Sequence, residues 1–360
     1  MIKSVRLHAL VQDISELRVS DIPAPVPRKH EALVRVEAAG ANFFDYLQCR
    51  GEYQHKPKLP FAPGAEFAGV VLALGADAAE AGTVAVGDRV CGMASHGCFQ
   101  QQLCAPALGL LRIPASMSFD EASGFLMTNG TSYIGLVYRA NLQAGETVLV
   151  HAAAGGVGIA AVQIAKALGA SMIIGTVGSD DKADAVRAAG AHHVINYSTN
   201  KAWAAEVLLL TGKKGVDVVY DPVGGDTFTE SLKCTAWRGR VLIVGFAGGK
   251  IASVATNRIL LKQISVVGVN LGSYMQHDPL KLQECFADLF RMHAAGTVRT
   301  IICARYALDE TPRALESLKQ RQTFGKVVIH PQRLAGAASS SSSVGATNSV
   351  GSGAAARSKL

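Results

Sequence analysis

The chain has 360 residues, enough for two domains at roughly 100–200 residues each, and 49% of it is apolar, which excludes a chain disordered throughout. Lys and Arg outnumber Asp and Glu by 35 to 28, a formal charge of +7 that suits acidic ligands, but the basic residues are scattered rather than gathered into a stripe, which argues against nucleic acid. The longest apolar stretch, after Gly158, meets Gln163 and Lys166 well short of the ~20 residues a membrane span needs, and the N-terminus lacks a basic-then-apolar signal, so a soluble protein is expected. The cysteines (Cys49, Cys91, Cys98, Cys104, Cys234, Cys285 and Cys303) are odd in number and contain no C-x-x-C pair, so neither a disulfide framework nor a Cys-rich zinc knuckle is encoded.

Up to about Leu126, short alternating runs at residues 33–36, 70–72 and 89–91 are separated by Pro- and Gly-rich turns at 23–27 and 60–64. This pattern predicts a small β-rich domain with few helices. From Thr147 the grammar changes to apolar strands, each followed by a helical stretch: residues 147–152, 171–177, 193–197, 216–221, 240–246 and 264–269. Six such runs predict an α/β domain with a doubly wound parallel sheet. Beyond Asn270 a helix at 279–295, a strand at 300–306, a helix at 311–320 and a strand at 326–329 are too little for a third domain, and are expected to return to the first. From about Leu334 the chain becomes Ala, Gly and Ser, a composition that cannot offset the entropy of ordering, so a flexible tail is expected. The expected division is therefore 1–126, 127–268, 269–333 and 334–360.

The strongest local signal is the strand at 147–151 running into Ala152-Ala153-Ala154-Gly155-Gly156-Val157-Gly158 and then an apolar-periodic helix. Strand, Gly-rich turn and helix together let backbone amides and a helix N-terminus approach a pyrophosphate, so Ala154, Gly155, Gly156, Val157 and Gly158 are candidate cofactor residues. About twenty residues on, where an NAD site carries an Asp or Glu for the ribose 2′-hydroxyl, this sequence has Gly175 and Thr176. Ser179 and Lys182 follow in the next loop, and Tyr197 ends the third strand: a hydroxyl, an ammonium and a second hydroxyl suited to a 2′-phosphate. NADPH is the expected cofactor, with Asp180 and Asp181 as an opposing charge in the same loop.

These motifs, with Ala41-Asn42-Phe43-Phe44-Asp45, Arg50-Gly51-Glu52-Tyr53, the segment Pro63 to Val71, Val86-Gly87-Asp88-Arg89-Val90 and Asp221-Pro222-Val223-Gly224-Gly225, make residues 1–330 resemble the zinc-independent quinone oxidoreductases of the medium-chain dehydrogenase/reductase superfamily. The resemblance implies a GroES-like catalytic domain, a Rossmann domain, an NADPH site in the cleft between them and a homodimer. Asn42 stands where the zinc-dependent alcohol dehydrogenases of this superfamily carry a ligand Cys, and Ala65 where they carry a His, so no metal is expected; His96 and Cys98 lack further partners. Without a Lewis acid the acceptor must already be electrophilic, as quinones and α,β-unsaturated carbonyls are. By resemblance, Asn42 lies beside the nicotinamide, Tyr53 borders the acceptor, and Thr131, Gly245, Phe246 and Asn270 flank the cofactor. Asn42 and Tyr53 are the candidate catalytic residues, and Asp45 is expected to anchor its loop. Ser132 has no His and acid partner for nucleophilic catalysis.

The last residues, Ser358-Lys359-Leu360, match the peroxisomal import address, which implies an import receptor as a partner; without it the protein would be cytoplasmic. Three readings follow: an NADPH-dependent quinone reductase; an enone or enoyl-thioester reductase with the same fold and cofactor; and, from another class, an NADPH-binding sensor or RNA-binding module without useful turnover.

Overall fold

A computed structural model describes residues 1–335, so the expected tail and its Ser358, Lys359 and Leu360 lie outside the described residues. The first domain is built on a seven-stranded mixed sheet. Its longest strand, Glu31–Ala41, buries Ala32, Val34 and Val36 on one face while Arg35 turns to solvent, and it pairs antiparallel with Glu66–Leu74 and with Gln102–Pro106. Arg89–Met93 and Leu111–Arg112 extend the sheet past Glu66–Leu74. On the opposite flank Lys326–His330 pairs antiparallel with the end of Glu31–Ala41, and Ile302–Ala307 pairs parallel with Lys326–His330. The C-terminal strands thus complete the first domain's sheet, and Leu315 and Ile329 share its core with Val34, Phe61, Phe67 and Phe99.

The second domain is a six-stranded parallel sheet in the order His193–Asn196, Met172–Val177, Thr147–Val150, Val216–Asp221, Thr235–Ile243, Ser265–Gly268. Taken along the chain this is the order 3-2-1-4-5-6 of a doubly wound fold. Alternate residues of each strand feed separate cores on the two faces: Leu149, Ile174, Val219 and Val241 on one, Val148, Ile173, Val218 and Leu242 on the other.

The structure differs from the sequence-based expectations in three places. The fifth strand begins at Thr235, because helix Gly225–Cys234 runs straight into it. The Lys262 ammonium caps that junction, donating to the carbonyls of Leu232 at 2.8 Å and of Lys233 and Thr235 at 3.0 Å. Helices Leu271–His277 and Pro279–Ala294, expected to belong to the return segment, instead stay with the parallel sheet: Leu271, Leu282, Cys285, Phe286 and Leu289 join Ile134, Val150 and Ile164 in one core. The return begins only at Ile302–Ala307. Helix Phe125–Tyr133 likewise runs through the boundary expected after residue 126.

Beneath the Gly-rich loop, His151 is fully buried, and burial holds its pKa down at about 3. Ser231 Oγ donates to the carbonyl of Thr227 at 2.7 Å, so it accepts from His151 Nε2 at 2.8 Å, which leaves Nδ1 to accept from Thr176 Oγ1 at 3.0 Å. A neutral imidazole thereby ties the first strand to the second and to the helix after the fourth.

Candidate active site

Strand register assembles the first half of the site. Gly40 pairs with Glu66 on one side and Val328 on the other, and Ala41 pairs with Val327, so the next positions outward, Asn42 and Lys326, meet beside Glu66. The Lys326 ammonium, only 3% exposed as a residue, spends its three protons on Glu66 Oε1 at 2.7 Å, Asn42 Oδ1 at 2.8 Å and the carbonyl of Ala41 at 3.0 Å. Glu66, 1% exposed, also accepts from Asn42 Nδ2 at 3.0 Å and, through Oε2, from the backbone N–H of Met127 at 3.1 Å. Each buried charge is therefore paired and hydrogen-bonded, the condition under which a buried ion pair is tolerable. Gly40 makes the room: a Cβ there would lie 2.8 Å from Glu66 Oε1 and 2.4 Å from the carbonyl of Ser123.

Asn42 caps helix Phe43–Cys49, its backbone N–H donating to Asp45 Oδ2 at 2.8 Å. Its amide Oδ1 is turned to Lys326 and its Nδ2 to Glu66, so the side chain is held in one orientation by the ion pair. Asp45 is fully buried, and burial raises its carboxyl to about 7 against the lowering effects of the Asn42 N–H and Lys326. Tyr53 lies half-buried past the same helix with its ring stacked on Phe44 at 5.3 Å, and burial, then the nearby Asp45, push its hydroxyl above its ordinary pKa.

The parallel sheet contributes the other half along the C-terminal ends of its strands. Ala152 opens the Gly-rich loop in the left-handed region at φ 46°, and helix Gly156–Ala167 follows with no acidic residue in its first turn. Its N-terminal amides are thus available to an anion. A Cβ on Gly158 would lie 2.3 Å from the carbonyl of Ala152, so this last glycine serves helix–strand packing. At the second strand end, Asp180 accepts from Asn196 Nδ2 at 2.9 Å, which engages the carboxylate expected to oppose a phosphate. Ser179 precedes it in extended backbone, the Tyr197 hydroxyl lies against Gly178, and the Lys182 ammonium donates to the carbonyl of Arg321. The loop fits a dinucleotide, and this strand end offers one ammonium and two hydroxyls for a 2′-phosphate.

Gly245 and Phe246 follow the fifth strand, with the Phe246 ring over Gly224. Asn270 is an exposed N-cap accepting from the Ser273 N–H at 3.3 Å, and Thr131 is half-buried in helix Phe125–Tyr133. Ser132 is structural: it contacts the carbonyls of Thr128 and Val157 and, at 2.9 Å, the Tyr220 hydroxyl.

Sequence reasoning missed Lys326 as a site residue and gave Glu66 no role; the available signal was a lysine opening an otherwise apolar strand immediately after a glycine. It also missed the segment that joins the two halves. Gly325, at φ 61°, donates its N–H to the Ala154 carbonyl at 2.7 Å, while Arg321 donates to the Ala247 carbonyl at 3.3 Å. Removing one member of the buried pair strands the other, so Lys326→Met should cost about 3–5 kcal/mol in urea unfolding, and adding Glu66→Gln should recover part of that loss. Equal stability of Lys326→Met and wild type would show that the pair carries no such weight.

Residues 28–116 match the alcohol dehydrogenase GroES-like domain, and residues 156–289 match the zinc-binding dehydrogenase family. Quinone oxidoreductase-like protein 2 of Rattus norvegicus is 39% identical over 307 residues, 85% of this chain and 86% of that protein. A quinone oxidoreductase of Pseudomonas aeruginosa is 38% identical over 317 residues, 88% of this chain and 95% of that protein. The solved structure of Escherichia coli quinone oxidoreductase complexed with NADPH shares the fold with a TM-score of 0.82 at 32% identity, covering 92% of this chain and 99% of that one. With likeness of this degree extending through both domains, the chain belongs to the quinone oxidoreductase-like family of the medium-chain dehydrogenase/reductase superfamily.

Proposed function

We propose that the protein is an NADPH-dependent quinone oxidoreductase that works without a metal. The observation that carries the cofactor preference is the second strand end, where Lys182 and Tyr197 stand with no carboxylate at Thr176 and with Asp180 bound to Asn196. The metal-free reading is supported by Asn42 and Ala65, and by Lys326: Glu66 and the Asn42 amide already hold an ammonium, which leaves a metal no free donor pair among them. When bound, the nicotinamide supplies the reducing equivalents. The chain's own residues bind and orient: the Gly155–Gly158 turn takes the pyrophosphate, and Ser179, Lys182 and Tyr197 take the 2′-phosphate. One proton from solution is needed for each quinone reduced. The Tyr53 hydroxyl, kept protonated by burial, donates a hydrogen bond to the acceptor oxygen as negative charge develops there.

Steady-state oxidation of NADPH and NADH against quinones, enones and enoyl-thioesters, with and without a chelator, tests this reading. Chelator-resistant, NADPH-linked quinone turnover is expected, with Lys182→Glu raising the KM for NADPH far more than that for NADH, and Tyr53→Phe lowering turnover while NADPH affinity holds. An enoyl-thioester preference would assign the same cofactor site to lipid metabolism. NADPH binding without oxidation of any acceptor would favour a sensor.

Two further proposals concern assembly and address. Strand Ser265–Gly268 is the last of the parallel sheet, with Val266 and the preceding Leu260 and Leu261 exposed, an edge suited to pairing with a second copy. Sedimentation equilibrium should give twice the chain mass, and a monomer at micromolar concentration would refute the pairing. Ser358-Lys359-Leu360 is a peroxisomal import address. Deleting these three residues should leave the protein in the cytosol, whereas an unchanged distribution would remove the address.

A further inference from the structure

Among the described residues, two buried oxygens of one helix have no hydrogen-bond partner: Asp45 Oδ1 and Gln48 Oε1. Both residues belong to helix Phe43–Cys49, three positions apart and therefore on one face, and they are 0% and 1% exposed. Their other polar atoms are accounted for. Asp45 Oδ2 accepts from the Asn42 N–H at 2.8 Å. Gln48 Nε2 donates to the carbonyls of Ser95 at 3.3 Å and His55 at 3.5 Å, contacts that fix which end of the amide is the oxygen, since a flip would set oxygen against two carbonyls. Two acceptors left buried and unpaired on one helix face each carry the desolvation penalty of a lost hydrogen bond. A single proton resolves both.

We propose that Asp45 works as a neutral carboxylic acid whose Oδ1–H is shared with Gln48 Oε1, and that this proton makes Asp45 a positioning residue for Asn42. The surroundings favour the neutral form. The groups that bear on Asp45 are the Lys326 ammonium, the Glu66 carboxylate, the thiols of Cys49 and Cys98, and the Tyr53 hydroxyl. Lys326 is the one cation among them, and all its protons go to Glu66, Asn42 and Ala41, so the Lys326–Glu66 pair is already neutral. Ionising Asp45 adds an uncompensated anion beside Glu66 and leaves both its Oδ1 and Gln48 Oε1 without a donor. Burial and the neighbouring Glu66 carboxylate favour the proton, while the Asn42 N–H and Lys326 oppose it, which places its loss near neutrality. Because Asp45 Oδ2 holds the Asn42 N–H, a shift of this carboxyl displaces the helix N-cap and the amide that faces Lys326.

The full chain with NADPH bound, labelled with carbon-13 at the aspartate carboxyls, provides the direct test. One carboxyl resonance should titrate near neutrality in wild type and be missing from Asp45→Asn, whose amide can donate to Gln48 without titrating. In quinone reduction, kcat should fall as the pH rises through about 7 in wild type, and that decline should be absent from Asp45→Asn. If every aspartate is already ionised at pH 6, a water or a monovalent cation, rather than a proton, joins the two oxygens and the proposal fails. It fails also if the carboxyl titrates but the two proteins share one pH profile. The kinetic arm rests on the quinone reading, whereas the resonance titration does not, so an inactive preparation with a titrating carboxyl would count against the acceptor and not against the proton. Should Asp45→Asn not fold, the wild-type titration decides once the resonance of Asp221, a second buried aspartate raised by burial, is identified from Asp221→Asn.

Discussion

Everything at the centre of this molecule is arranged around one buried ion pair. Lys326 and Glu66 come from strands at the two flanks of the longest strand, and their charges are accepted in the interior because each is fully bonded. Desolvating an ammonium and a carboxylate costs several kcal/mol per ion, which only close approach and complete hydrogen bonding offset. The rest of the site inherits this constraint: Asn42 is oriented by the pair, Met127 ties it to the helix leading into the second domain, and the lysine stem passes beside Gly124 and Gly156, where a Cβ would come within 2.9 and 3.1 Å of it.

The same lysine follows the segment that couples the two domains. Between Arg321 and Gly325 the returning chain touches three strand-end loops of the parallel sheet, at Lys182, Ala247 and Ala154. The contact from Gly325 reaches the Gly-rich turn itself, at Ala154. A side chain at 325 would lie 2.2 Å from the Ile301 carbonyl and require an unfavourable φ, so glycine permits both the turn and the approach. Two adjacent residues, Gly325 and Lys326, therefore join the Gly-rich loop to the cluster of Glu66 and Asn42. The helix Phe43–Cys49 then extends the polar cluster to Asp45 and Gln48, where the charge balance set by the pair governs the state of the next carboxyl.

Much of the architecture was legible in the residues themselves. Apolar strands alternating with helical stretches fixed the parallel sheet because strands covered on both faces must be apolar throughout, and the Gly-rich turn after residue 150 marked a strand-to-helix junction at the C-terminal edge of that sheet. The missing carboxylate at Thr176 pointed to the cofactor's extra phosphate by the chemistry of the position alone. Boundaries were less legible where a long-range contact decided them: Lys262 caps the junction at Thr235 from 27 residues away in sequence, and the helices after Asn270 follow the parallel sheet because Leu282, Phe286 and Leu289 find their core there.

The sequence by itself determined two domain types, the strand, Gly-rich turn and helix unit, the absence of a carboxylate at Thr176, and the presence of Asn42 and Ala65 where the related zinc enzymes carry metal ligands. It did so because these follow from local periodicity and from the chemistry of single positions. Tertiary structure alone decided that Lys326 and Glu66, separated by 260 residues, form one pair, that Asp180 turns to Asn196, and that Asp45 Oδ1 and Gln48 Oε1 are buried with no partner among the described residues. Strand register and burial set those relations, and neither is written in any short stretch of the chain.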